Sequence, residues 1–208
     1  MSLDVEYFLA PTSPWTYLGH ARFAQIVQTT GARLRLSPVD LGQVFPVSGG
    51  LPLPKRAPQR QAYRLQELRR FSEWLGLPLN LHPKHFPVSG DDAARLIIAV
   101  DGADGTEPAV RLTGRILAAV WVQERNIADA TTLGELLAES GIDASRLEAS
   151  RGDDVRQRYQ DNTRRAIERG VFGSPTYAIG EEIFWGQDRL EFVRRRLEAA
   201  VPVVVPPA

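Results

Sequence analysis

The apolar residues of the N-terminal stretch change period twice. Val5 to Leu9 (VEYFL) is a short β-branched and aromatic run, which predicts a buried strand. From Pro14 onward Trp15, Leu18, Phe23, Ile26 and Val27 fall on one helical face with small Gly19 among them. Gly31 stands just past them, where a helix C-terminal glycine belongs. In "ARLRLSPVDL" Leu34 and Leu36 alternate with arginines, which predicts a second strand running to about Val39. Strand, helix, strand is a βαβ unit, a right-handed crossover between parallel strands.

The segment from Gly42 to Pro58 (GQVFPVSGGLPLPKRAP) is rich in Gly and Pro and predicts a loop. Beyond it the period is helical as far as Gly170. Leu65, Leu68, Phe71 and Leu75 make one helix, closed by Gly76, and "DDAARLIIAV" makes the next. Val110, Ile116, Leu117, Val120 and Trp121 make a third. Thr132 with Glu135 three residues later reads as a capping box opening a fourth, which Gly141 closes. A last helix runs to Ile167. Thr176 to Ile179, a tight turn at Gly180-Glu181, and Ile183 to Trp185 then predict a hairpin, and Leu190, Val193 and Leu197 a closing helix. The tail "PVVVPPA" cannot continue that helix and is expected to be loose or draped.

The order is βαβ, helices, then ββα. It predicts an α/β chain: a thioredoxin-like βαβ–ββα domain (residues 1–42 and 170–201) with a large all-α insertion (residues 43–169) and a tail at 202–208.

Charge narrows the function classes. Lys+Arg and Asp+Glu both total 25 in 208 residues, so runs such as Arg194-Arg195-Arg196 lack the overall field of a nucleic-acid binder. The N-terminus has no basic, apolar leader, and no stretch approaches the ~20 apolar residues of a membrane span. A cytoplasmic protein is expected. The chain has no cysteine, which excludes disulfides and protein thiol catalysis. His82 and His85 lie among prolines with no third ligand in view, so no metal site is expected. His20 is expected on the solvated side of the first helix. Trp15, Tyr17, Phe172 and Trp185 are expected mostly in the core, with one or two walling an aromatic substrate.

Two stretches carry chemistry. "Ser13-Pro14-Trp15-Thr16" occupies the start of the first helix, where redox members of the thioredoxin fold carry Cys-x-x-Cys. "Gly173-Ser174-Pro175-Thr176" stands just before the third strand. Ser at N-cap with Pro at N1 is a common helix opening with no function beyond capping. The same place is also an anion site, where unpaired N–H groups and the helix dipole lower a thiol's pKa toward the thiolate. Both roles stand, and they are compatible.

The segments "SPWTYLG", "PVDLG", "GVFGSPT" and "FWGQDRL" resemble those of the 2-hydroxychromene-2-carboxylate isomerases, relatives of the kappa-class glutathione transferases and of the bacterial periplasmic disulfide oxidases. The resemblance implies glutathione as cofactor, with Ser13 holding its sulfur. It implies a cis Ser174-Pro175 bond that turns the backbone of Ser174 to the cysteinyl unit, and Gln187 and Asp188 gripping the γ-glutamyl end. The glycine carboxylate needs a cation. Relatives use a lysine three residues before a tyrosine, with an asparagine earlier in the loop. Here Arg60 precedes Tyr63 at that offset, Lys55 and Arg56 lie in a loop one residue longer, and Gly50 stands in the asparagine's place. Lys55 and Arg60 both remain candidates. The implied reaction is a cis–trans isomerisation of a small aromatic carboxylate by thiolate addition, ring opening, rotation and elimination, carried out by a homodimer. A kappa-like transferase and a non-catalytic thioredoxin-fold binding protein are the alternatives.

Overall fold

A computed structural model of the chain describes residues 3–199, so the predicted tail and the last residues of the closing segment lie outside the described residues. Strand β1 (Asp4–Leu9) leads into α1 (Pro14–Thr30), which ends at Gly31 with φ 64°, a left-handed conformation that glycine adopts without a Cβ clash. β2 (Arg33–Pro38) returns parallel to β1 with Tyr7 opposite Leu36. The hairpin β3 (Thr176–Ile179) and β4 (Glu182–Trp185) completes a sheet ordered β2-β1-β3-β4, with β3 antiparallel to β1. The thioredoxin-like order expected from the sequence is the one observed.

Between the two halves run α2 (Leu41–Ser48), α3 (Pro58–Leu75), α4 (Asp91–Asp104), α5 (Thr106–Trp121), α6 (Ala130–Glu139), α7 (Ser145–Ala149) and α8 (Asp153–Glu168), and α9 (Leu190–Glu198) closes the described chain. One face of the sheet, through Val5, Tyr7 and Tyr177, shares a continuous core with Phe23 of α1, Leu96 and Ile97 of α4, Ile116 and Trp121 of α5, and Val193 of α9. Phe8 and Ala178 point the other way, against Val39 and Ala166 of α8. A buried ion pair fixes α8 to that second face. Arg165 reaches Glu6 of β1 at 2.7 Å, and Ser37 of β2 donates to the same carboxylate at 2.8 Å. Burying Glu6 is tolerable because its charge is paired and hydrogen-bonded.

Four expectations change. The Gly/Pro-rich segment contains α2, because the Asp40 carboxylate accepts the Gly42 N–H at 2.7 Å as a cap, and buried Val44 with Leu41 gives the turn an apolar face. Its end is still a glycine, Gly49, at φ 74°. Helix α6 is capped by Asp129, which accepts from Thr131 N–H at 3.2 Å; Thr132 lies inside it and Glu135 pairs with Arg125 instead. The five-residue α7 was not foreseen and is too short to show a period. His20 is buried: its Nε2–H donates to the Val110 carbonyl at 2.9 Å, and Tyr7 OH lies 3.4 Å from Nδ1. Burial pulls its pKa below the ordinary histidine value, partly opposed by that carbonyl. Its helix face turned inward because α5 packs there, which the sequence of α1 alone does not reveal.

Gly19 shows how closely α1 and the turn at Gln187 approach. A Cβ at this position would lie 2.7 Å from Gln187 Cβ and 3.1 Å from Tyr177 OH. Helix propensity favours Gly19→Ala by ~0.8–1 kcal/mol, whereas overpacking costs ~1–3 kcal/mol. The closeness to the Gln187 backbone decides for the penalty. Gly19→Ala is expected to lower the melting temperature; a rise would show that α1 and the Gln187 turn are free to move apart.

Candidate functional site

Ser13 caps α1, its Oγ accepting the Thr16 N–H at 3.2 Å. The same hydroxyl donates to the backbone carbonyl of Ser174 at 3.1 Å. Ser174 answers with its side chain: its Oγ accepts from Ala10 N–H at 2.8 Å and shares a hydrogen bond of 2.8 Å with Thr16 Oγ1. The strand end, the helix start and the loop before β3 thus meet in one buried cluster of hydroxyls. The Ser174-Pro175 bond is cis, as the resemblance implied, and a second cis bond lies at Phe86-Pro87. The Pro175 carbonyl accepts the Gly186 N–H at 2.9 Å and carries the hairpin pairing up to the site. Thr16 was not picked out beforehand as a site residue, although its position as the second hydroxyl of "SPWT" marked it.

Two adjoining cavities open beside this cluster. The larger, of about 680 Å³, is bordered by Ser13, Trp15, Phe45, Phe86, Phe172 and Ser174 among others. The smaller, of about 490 Å³, is bordered by Trp15, Tyr63, Ser174, Trp185, Gln187 and Asp188 among others. Trp185 and Phe172 are half-exposed and pack against each other at 4.8 Å between centroids, so they wall the cleft instead of filling the core. Trp15 sits edge-on to Phe71 on the same rim, and Tyr17 donates to the Pro78 carbonyl at 2.7 Å at the edge of the core. Gly173 lets the loop pass under Trp185, whose Nε1 would lie 2.4 Å from a Cβ there.

The residues expected to grip a ligand divide. Asp188 borders the smaller cavity, half-exposed, in a short 3-10 turn (Gln187–Arg189) ahead of α9; the first turn of α9 itself carries Glu191. Its carboxylate pairs with Arg189 at 2.7 Å. Gly186, at φ 104°, leaves room for that carboxylate, since a Cβ would sit 2.5 Å from Asp188 Oδ1. Gln187 borders the cavity but its side chain is buried, its Oε1 accepting from Arg22, which also donates to the Gln187 backbone carbonyl at 3.1 Å. The Gln187 amide therefore holds the turn against α1. Arg60 borders both cavities; Lys55 is exposed and borders neither. Two cations were passed over, Arg56 and Arg64, which border both cavities with Arg60. The i, i+4 spacing of Arg60 and Arg64 on α3 could have signalled Arg64, whereas Arg56 lies in extended backbone just ahead of that helix. Gly50 cannot serve as the family's asparagine does: its Cβ would lie 2.4 Å from the Phe45 ring, so no side chain fits there unless that ring moves.

Among the described residues no helix is long and apolar enough to cross a membrane, and no cluster of three or more His, Cys, Asp or Glu is arranged to hold a metal ion.

Comparison with known proteins agrees with this fold. A 2-hydroxychromene-2-carboxylate isomerase from Pseudomonas putida is 29% identical over 189 residues, 89% of this chain and 90% of that protein. Glutathione S-transferase kappa 1 from Rattus norvegicus is 21% identical, over 98% of this chain and 94% of its own length. A solved structure of a 2-hydroxychromene-2-carboxylate isomerase superposes with a TM-score of 0.77 at 25% identity, covering 95% of each chain. The model of the DSBA-like thioredoxin domain matches residues 4–198, nearly the whole chain, and this protein belongs to that family.

Proposed function

We propose that the protein is a glutathione-dependent isomerase acting on 2-hydroxychromene-2-carboxylate or a similar intermediate of aromatic catabolism. The observation that carries the reading is the serine hydroxyl at the N-terminus of α1, bordering a cavity shared with Ser174, in a chain without cysteine. The relatives named as isomerases and as a kappa-class glutathione transferase support the same reading.

The residues fit glutathione in charge and in order. Ser13 and the backbone N–H of Trp15, which the Ser13 cap leaves free, offer the sulfur hydrogen-bond donors and the positive end of a dipole. Ser174 and Pro175 supply backbone alongside the cysteinyl unit. Asp188 faces the γ-glutamyl ammonium while its neighbour Arg189 suits that unit's carboxylate; their exposed pair is worth only ~0–1 kcal/mol and is readily exchanged for a ligand's charges. Gln187 keeps this turn in place through Arg22. Arg60 takes the glycine carboxylate, and Lys55, outside the cleft, does not. When bound, glutathione supplies a thiolate for reversible addition to the conjugated substrate, which permits ring opening, bond rotation and elimination. Ser13's part is to move one proton-donating contact: its O–H, held by the Ser174 carbonyl in the free protein, turns to the sulfur. The larger cavity, walled by Phe45, Phe86 and Phe172, takes the substrate ring. The reading also includes a cytoplasmic setting and a homodimer.

Ser13→Ala should lose a cap worth ~1 kcal/mol while its turnover falls about a hundredfold, the scale of a lost donor to a developing charge. A folded Ser13→Ala protein with near-wild-type turnover at saturating glutathione would reduce Ser13 to a cap.

Glutathione at a hundredfold excess over its Kd should stabilise the fold by ~2.7 kcal/mol. At ~2–4 °C per kcal/mol, that raises the melting temperature by several degrees. S-methyl glutathione should act similarly, because grip on the γ-glutamyl end needs no free thiol. Asp188→Asn should abolish most of the shift and leave the unliganded melting point nearly unchanged. No shift of the wild type in millimolar glutathione would defeat the cofactor reading and favour a non-catalytic module.

A further inference from the structure

The cleft carries more positive charge than glutathione needs. Arg56, Arg60 and Arg64 all border both cavities, and among the described residues none of them pairs with a carboxylate. The acidic groups nearest in the cleft are taken: Glu67 pairs with Arg70, and Asp188 with Arg189. Arg56 spends its Nε–H on the Leu51 carbonyl at 2.7 Å. Arg64 is the most enclosed of the three. Its guanidinium lies over two rings, 5.5 Å from the Phe86 centroid and 5.8 Å from that of Trp121. Burial, reinforced by the charge of Arg56, pulls its pKa down to about 10, which still leaves it a cation at neutral pH.

This arrangement is costly unless an anion arrives. Like charges four residues apart on a helix repel, and a half-buried guanidinium without a partner forfeits solvation. Covering Phe86 and Trp121 does not require the charge, because an apolar chain of the same length would cover them without repulsion. With its faces against rings, Arg64 is held by packing, and its N–H edge suits the two oxygens of a carboxylate. The same cavity wall is aromatic. A flat ring bearing a carboxylate satisfies both surfaces at once.

Building on the reading that the larger cavity takes an aromatic acid, we infer that Arg64, seconded by Arg56, is the residue that selects a carboxylate on the substrate, leaving Arg60 to glutathione. Arg64 is a binding and specificity residue; the Ser13 chemistry does not pass through it.

The test uses an unreactive probe and no glutathione, so it is independent of the cofactor reading. Binding of 2-hydroxybenzoate and of its neutral amide is measured by calorimetry on wild type, Arg64→Met, Arg64→Lys and Arg60→Met. The wild type should prefer the acid about ten- to a hundredfold, the worth of a charged hydrogen-bonded contact. Arg64→Met should lose that preference while binding the amide as before. Arg64→Lys, which keeps the charge without the fork, should fall between, and stands in if the methionine variant does not fold. Arg60→Met should keep the preference for the acid. Equal binding of acid and amide by the wild type, or an undiminished preference in the folded Arg64 variants, overturns the inference, whatever glutathione does.

Discussion

The hydroxyl cluster at Ser13, Thr16 and Ser174 is the contact on which the rest of the site depends. It joins the first helix to a loop more than 150 residues further along, with the whole helical segment between them. Each hydrogen bond contributes only ~1 kcal/mol net, but the groups are buried, and an orphaned one costs ~1–3 kcal/mol. Ser13 Oγ bonds both locally and across the gap, and both bonds of Ser174 Oγ cross it. Ser13 Oγ caps its own helix and holds the Ser174 carbonyl; Ser174 Oγ takes the N–H of Ala10 at the end of β1. Loss of any member leaves a partner unsatisfied in a region shielded from water. The helix start and the loop therefore keep one relative position, and the cavities beside them inherit it.

Glycines set the remaining distances. Gly19 brings α1 onto the Gln187 turn, Gly173 brings the loop beneath Trp185, and Gly186 makes room for the carboxylate of Asp188. Three segments picked out for their resemblance, "SPWTYLG", "GVFGSPT" and "FWGQDRL", each contain one of these close approaches. Gly19 meets Gln187 and Gly173 meets Trp185, so the segments touch. Gly19 could not become alanine without displacing Gln187, and Gln187 is in turn held by Arg22 of the same helix. The motif is a packing unit as much as a chemical one.

Much of this was legible in the sequence, for physical reasons. Strands β1, β3 and β4 and helix α1 announce themselves because their apolar periods and terminal glycines agree. Helix α2 was hidden because Pro46 and the flanking glycines mimic a loop, and its stability comes from an aspartate cap and from packing on α8. His20 was misplaced because the side of α1 that carries it is covered by α5, a contact between residues ninety positions apart. The cation set was read only in part. Arg60 follows from counting back from Tyr63 and Lys55 from its place in the preceding loop, whereas the cleft is bordered by side chains a helical turn apart, Arg60 and Arg64, with Arg56 leading into the helix. Counting along the chain cannot show which arginines find a carboxylate and which do not.

The absence of cysteine ties fold and chemistry together. In this fold a pair of thiols at the start of α1 would exchange electrons; a pair of hydroxyls at the same place can only donate and accept protons. Ser13 and Thr16 spend that capacity on Ser174, one through its carbonyl and the other through its side chain. A ligand sulfur arriving at the helix N-terminus competes for the single proton of Ser13, and the Ser174 carbonyl must then find another donor. The backbone N–H groups of a peptide-like ligand lying along Ser174 are the donors at hand. On the proposed glutathione reading, binding would trade the Ser13–Ser174 hydrogen bond for two intermolecular ones without leaving a buried group unpaired. The Ser13–Ser174 contact is the one that the proposed glutathione reading asks a thiol tripeptide to replace.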